Sequence, residues 1–312
     1  MLYKKISLLY GEHTGMINRS LKISLLTLAL SFSFINITVA DGHKLELNLV
    51  WEMTGLANPE SVVYDPRLNL LYVSNVNGGP MDKDGNGYIS LVSMDGKIIN
   101  EKWVTGLNGP KGLALFGTTL YTADIDVLVA IDVDHGQIIN KYKVDDAKFL
   151  NDVAAAPNGD IYVSDMLTNR IHLLSDNNFT IWIESDELNM PNGLDVVDDN
   201  VILGTWGIMT DGFATAVPGH LKSISIIDKT ITSIGNGSPV GNLDGVEADK
   251  DGGFYVTDWM NGKLFHISST GGVEELLSLK QGSADHEFII EKDLIFIPMM
   301  MDNMMYAYKI ER

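Results

Sequence analysis

The sequence predicts an all-β protein, a six-bladed β-propeller, and three observations lead there. The first is a turn that recurs along the chain: Asn58-Pro59-Glu60-Ser61-Val62, Gly109-Pro110-Lys111-Gly112-Leu113, Leu150-Asn151-Asp152-Val153, Met190-Pro191-Asn192-Gly193-Leu194-Asp195, Leu243-Asp244-Gly245-Val246 and Asp285-His286-Glu287-Phe288. Its pivotal residues are Glu60, Lys111, Asn151, Asn192, Asp244 and His286, spaced by 51, 40, 41, 52 and 42, a period in the range of propeller blades or solenoid units. The second is a strand signature after each turn, β-branched and aromatic and bounded by Gly, Asn or Asp, as in Leu70–Asn75, Ile161–Asp165 and Phe254–Asp258. The third is a hairpin signal within each of the first five repeats, such as Asp95-Gly96, His135-Gly136, Asp176-Asn177-Asn178, Asp228-Lys229 and Gly271-Gly272.

Residues 1–40 read as a targeting segment rather than as structure. Arg19 and Lys22 precede an apolar run from Ile23 to Ile37, and Thr38-Val39-Ala40 offers small residues for cleavage after Ala40. Met16 is an alternative start. Ser24, Thr27, Ser31, Ser33 and Asn36 interrupt the run, so it makes a poor permanent span, although an uncleaved anchor is the competing reading. A periplasmic or secreted protein follows, with no stable membrane span after cleavage. Residues 41–312 then form a single propeller domain.

Residues 45–53 alternate apolar and polar, as a half-buried strand should. This strand precedes the first turn and has no blade of its own, while the last repeat shows only three strands after His286. We therefore expect residues 45–53 to complete the last blade, closing the ring and removing exposed edges. Antiparallel geometry brings the end of each second strand back to the face holding the turn. On that argument Asn75, Asp124, Asp165, Trp206, Asp258 and Met299 rim the mouth, beside two insertions, Asn75–Tyr88 and Gly207–His220.

The net charge of −19 becomes −22 once residues 1–40 are removed. Such a surface repels nucleic acid and anionic membranes and attracts cations. With no Cys at all, disulfides and thiol chemistry are excluded.

Four repeats present a side-chain oxygen at the same place: Glu60, Asn151, Asn192 and Asp244. Two carboxylates and two carboxamides make a hard site suited to one divalent cation, most readily Ca²⁺, with a ligand charge of −2. Singly, each is an ordinary turn residue. Lys111 holds the second-blade position as either a contact for a substrate anion or a counter-charge to the carboxylates. Weaker signals are Asp82-Lys83-Asp84-Gly85-Asn86-Gly87, which starts like a calcium loop but carries Ser93 where Glu is needed, and the methionines of Pro298–Met305.

Those four positions, with the Tyr-Val-type strand after each, resemble the regucalcin/gluconolactonase family of six-bladed propellers over roughly residues 50–310. More distantly they are similar to diisopropylfluorophosphatase and the paraoxonases. The resemblance implies Glu60, Asn151, Asn192 and Asp244 as ligands of one cation, with Asp244 also as general base or nucleophile. It implies a second, structural Ca²⁺ at Glu247 and His286. Family members that act on sugar lactones carry an Arg just before the third-blade Asn; here Lys148 is the only replacement in that neighbourhood. His135 and His43 are not convincing counterparts of the paraoxonase His pair. The expected activity is a metal-dependent hydrolase of a small lactone or related ester, with Lys111, Asn75, Asp124, Asp165, Trp206, Asp258 and Trp259 as substrate-binding residues. The alternative is a non-enzymatic propeller that binds a ligand or a partner protein, its metal only stapling the inner strands.

Overall fold

A computed structural model describes residues 45–311. The N-terminal segment through Ala40, with its expected cleavage site, lies outside the described residues.

Six four-stranded antiparallel sheets are arranged as the blades of a propeller. The innermost strands are Pro59–Asp65, Pro110–Phe116, Leu150–Ala155, Pro191–Val197, Leu243–Ala248 and Glu287–Ile289, and neighbouring ones pack in ring order. Each opens at its turn motif. Between the first and fourth residues of five of these strands the register shifts, as between Leu150 and Val153 or Pro191 and Leu194. Such a bulge leaves the pivotal residue unpaired in the ladder and re-aims its side chain.

The strand Glu46–Thr54 pairs antiparallel with Met304–Glu311 and forms the outer edge of the sixth blade, as the vacancy in the last repeat required. Its Trp51 packs against Phe296, and Trp51 Nε1 donates to Met94 O at 2.9 Å, tying the sixth blade to the first. The core lies between blades, in clusters such as Leu71, Val73, Phe296 and Met305, or Tyr162, Trp182, Leu194 and Leu203. The second strand of each blade is buried almost throughout, between the neighbouring blades, which is why the strand signatures read as almost continuously apolar, whereas the outermost strands are largely exposed.

Two local details differ from the sequence expectation. Residues 290–292 form a single 3₁₀ turn ended by Asp293 in the left-handed region, φ 46°, so the first strand of the last blade stops at Ile289. The insertion Gly207–His220 is a small hairpin, Met209–Asp211 against Ala214–Thr215, turning at Gly212 with φ 56°. Among the described residues no helix is long and apolar enough to cross a membrane.

Candidate functional site

The turn motifs converge at one end of the central channel, where a cavity of about 370 Å³ opens. Its polar floor is Glu60, Lys111, Asn151, Asn192 and Asp244, five of the six pivotal residues, with Asn58 beside them. Asn151 Nδ2 donates to Asn192 Oδ1, and Asn192 Nδ2 donates onward to Asp244 Oδ1 at 3.2 Å and to Leu243 O at 2.9 Å. Three of the four expected ligands are thus in direct contact, and Glu60 faces the same cavity. Gly193 is required here by close approach. A Cβ at that position would collide with the carbonyl oxygen of Asp244, so the fourth and fifth blades meet only because the residue after Asn192 has no side chain.

Electrostatically the floor sets one cation, Lys111, against two carboxylates. Burial and the neighbouring carboxylates Asp244 and Asp285 push Glu60 well above the usual range, against the pull of Lys111. Burial and Asp285 push Asp244 up as well, against the hydrogen bond from Asn192. Burial lowers Lys111 to about 8, partly offset by Glu60 and Asp124. The Lys111 ammonium donates to Gly109 O at 2.9 Å and sits over the Phe149 ring, 4.6 Å from its centroid, so it is held in place without a direct ion pair to either carboxylate. Glu60 Oε2 is buried with no hydrogen-bond partner. An orphaned carboxylate oxygen, a second uncompensated carboxylate and two carboxamides are the donor set a hard divalent cation takes, so the residues fit one. Among the described residues no three His, Cys, Asp or Glu side chains cluster in ligating positions; the expected set holds only two carboxylates, its other two members being amides.

Five of the six expected rim residues are not on the cavity wall. Asn75 Oδ1 accepts from Ala57 N at 2.9 Å, and Asp124 accepts from Asn108 N and Gly109 N at 2.9 and 2.8 Å. Asp165 accepts from Lys148 N and Phe149 N, both at 3.0 Å, and Asp258 accepts from Asn242 N at 3.3 Å and Asn261 N at 3.1 Å. Each turns back and fastens the loop that leads into its own blade's pivotal turn. The cavity wall is made by the next residue along. Met166, Trp206, Trp259 and Met300 line it, each one position past the second strand's end. Met166 N, Trp206 N and Trp259 N donate to Phe149 O, Met190 O and Asn242 O, always two residues before the pivot. Successive strand residues point to opposite sides, so the expected positions at Asp165, Asp258 and Met299 are off by one, whereas Trp206 and Trp259 are on the wall as expected. Met299 is likewise buried off the wall, with Met300 on it.

Trp206 and Trp259 do face the cavity, with ring centroids 6.0 Å apart, and Phe213 from the hairpin tip closes over them, 6.0 Å from Trp206 and 6.5 Å from Phe149. Lys148 is exposed and off the wall; Phe149 takes the inward position instead. His135 pairs with Asp132 at 2.6 Å in an outer hairpin, away from the cavity. Asp84 accepts from Asn86 N and Nδ2, and Lys83 pairs with Asp126, so the calcium-loop-like segment uses its carboxylates within exposed loops.

Farther down the channel a second cavity of about 160 Å³ is lined by Asp152, Asp195, Glu247, Asp285 and Glu287. Several of these carboxylates link blades: Asp152 accepts from Leu194 N at 2.6 Å, Asp195 from Ala248 N at 3.0 Å, and Asp285 from Ser61 Oγ at 2.5 Å. Glu247 is on this wall but His286 is off it, so the two do not share that surface. Burial lowers His286 to about 3, and neither of its ring nitrogens has a hydrogen-bond partner.

No family model and no curated protein matches the chain. Solved structures do. A Bacteroides thetaiotaomicron protein of unknown function superposes with TM-score 0.65 at 12% identity, over 86% of this chain and 76% of its own. A gluconolactonase from Xanthomonas campestris gives 0.63 at 13%, over 86% and 90%. A catalytically inactive virginiamycin B lyase from Staphylococcus aureus with quinupristin gives 0.56 at 13%, over 85% and 99%. The likeness is one of fold.

Proposed function

We propose that this protein is a divalent-cation-dependent hydrolase of lactones or related esters, with Ca²⁺ as the expected ion. The observation that carries the reading is the pair of buried carboxylates, Glu60 and Asp244, facing one cavity together with Asn151 and Asn192. Glu60, Asn151, Asn192 and Asp244 would hold the ion. When bound, it supplies Lewis-acid polarisation of the substrate carbonyl and a counter-charge for the developing oxyanion. Asp244 accepts the proton of the attacking water, a role typically worth about 10²–10⁴-fold. The water oxygen bonds to the carbonyl carbon, the acyl C–O bond breaks, and the proton passes to the departing alkoxide. Trp206, Phe213 and Trp259 exclude bulk water from one side. A gluconolactonase among the fold neighbours is consistent with this chemistry.

The test is a lactone panel with added calcium, then with chelator, for the wild type and Asp244→Ala. Turnover that needs the ion and is lost in the variant supports the reading; turnover indifferent to both overturns it. The rival, a ligand-binding propeller with a stapling metal, shares the stabilisation by calcium but shows no metal-dependent turnover. Export through cleavage after Ala40 is part of the proposal, and the N-terminus of the mature protein, read by mass spectrometry, checks it.

A further inference from the structure

We infer that the substrate carries a bulky apolar arm and is not a polyhydroxylated sugar lactone, because the buried polar groups of the cavity are the five pivotal residues while most of its remaining lining is apolar. The inference rests on the hydrolytic reading for its chemistry but not for its binding.

The wall consists of Phe149, Met166, Trp206, Phe213, Trp259 and Met300. Two of its hydrogen-bonding atoms are already used. Trp206 Nε1 donates to Phe213 O at 2.9 Å, and Met300 O accepts from Asn58 Nδ2 at 3.2 Å. Hydroxyls along a sugar ring need partners on several sides, and a group desolvated without one weakens binding. Here they would face ring faces and thioethers, whereas only the reacting ester needs the floor.

The apolar surface also continues outward. Met81, Leu167, Ile208, Phe213, Val217 and Met301 belong to the loops around the mouth, and all are exposed, Ile208 to 69%, Val217 to 60% and Met301 to 56%. Isolated exposed hydrophobic residues need no explanation, but several on adjoining loops around one opening mark a binding surface. An alkyl or aryl substituent leaving the cavity would lie along them. Lys111, with its ammonium stacked on Phe149, presents its charge at the floor only, near the ester end.

The experiment compares γ-butyrolactone, γ-octalactone, γ-dodecalactone and gluconolactone on the calcium-loaded full chain. Hydrolysis is followed together with binding, read as quenching of tryptophan fluorescence. The expected result is a rise in kcat/KM of about tenfold or more from the unsubstituted to the longest side chain, with gluconolactone about 100-fold below the best substrate, since even one methylene accommodated in an apolar pocket discriminates by about tenfold. Phe213→Ser, at an exposed hairpin tip, should cut the long-chain preference by about tenfold with the melting temperature kept. Gluconolactone equal to or better than the long-chain lactones overturns the inference and leaves the hydrolase reading standing. Tight, chain-length-dependent quenching without any hydrolysis supports the inference while overturning the hydrolase reading. Neither binding nor hydrolysis of any apolar lactone overturns both.

Discussion

Asp165 and Asp244 are both buried aspartates near the same end of the channel, and their surroundings are opposite. Burial pushes Asp165 up, but the nearby His172 ring, 3.5 Å away, and hydrogen bonds from the backbone N–H groups of Lys148 and Phe149 outweigh it and hold the group below its ordinary value. Asp244 has only the Asn192 amide against burial and a second carboxylate, and stays well above its ordinary range. One buried charge is matched by donors within the chain, and the other is not. A matched buried acceptor belongs to the scaffold; an unmatched one, facing a cavity, is where binding energy and chemistry are available.

Substitution should separate the two most sharply in activity. Asp244→Asn keeps the shape of the floor and removes the base, so kcat with a preferred lactone should fall by about 10³-fold while the folded state is retained. A variant that keeps more than a tenth of the wild-type rate would show that the proton goes elsewhere.

In stability the order reverses. Asp165→Ala leaves the backbone N–H groups of Lys148 and Phe149 without their acceptor, and should cost about 2 kcal/mol. Glu60→Gln removes an uncompensated buried charge, so in chelator its melting temperature should equal or exceed that of the wild type. Chemical denaturation of the two variants side by side checks the contrast, and a larger loss for Glu60→Gln would erase it. Calcium supplies the same comparison from outside. At about 100 times its dissociation constant it should stabilise the wild type by ~2.7 kcal/mol, and do so less in both Glu60→Gln and Asp244→Asn. A gain preserved in those variants would place the ion elsewhere.

The contrast between Asp165 and Asp244 also shows what the sequence could reveal. The recurring Pro, Asn and Gly turns made the six repeats legible, because each residue has a backbone reason to be there, and the alternation of residues 45–53 disclosed the closing strand. The pivotal residues followed, since equivalent turns on a ring must point toward its axis. Spacing alone, however, does not tell an acceptor aimed at the channel from one aimed back at its own loop. Asp124, Asp165 and Asp258 took the second course because free N–H groups of the preceding loop lie within reach. The signal for the true wall was the next position, where Met166, Trp206, Trp259 and Met300 share an apolar character that no scaffold role demanded. Phe149 carries no such signal, since one apolar residue before a turn is as readily core as cavity wall. The hairpin at Gly212 depends on one positive φ, which a Gly permits but does not announce.

The smallest expected effect is a pH dependence, and it tests whether matched and unmatched carboxylates really differ in sign. Deeper in the channel, burial raises Asp285 to about 7 and Glu287 to about 8. Their folded values exceed the ~4 of an unfolded carboxyl, so the stability they contribute is complete below that pH and disappears as pH climbs through about 7 to 8. Asp165, lowered in the fold, behaves in the opposite way: its contribution stands above ~4 and is lost only as pH falls through its depressed value. In chelator, therefore, the protein should lose on the order of 2 kcal/mol between pH 5 and pH 8, visible as a drop of several degrees in melting temperature. Asp285→Asn should flatten that slope, because an amide accepts from Ser61 Oγ without acquiring a charge. A wild-type curve that instead rises from pH 5 to 8 would mean that the channel carboxylates are matched in solution as fully as Asp165 is, and the distinction between the two kinds of buried acid would lose its force.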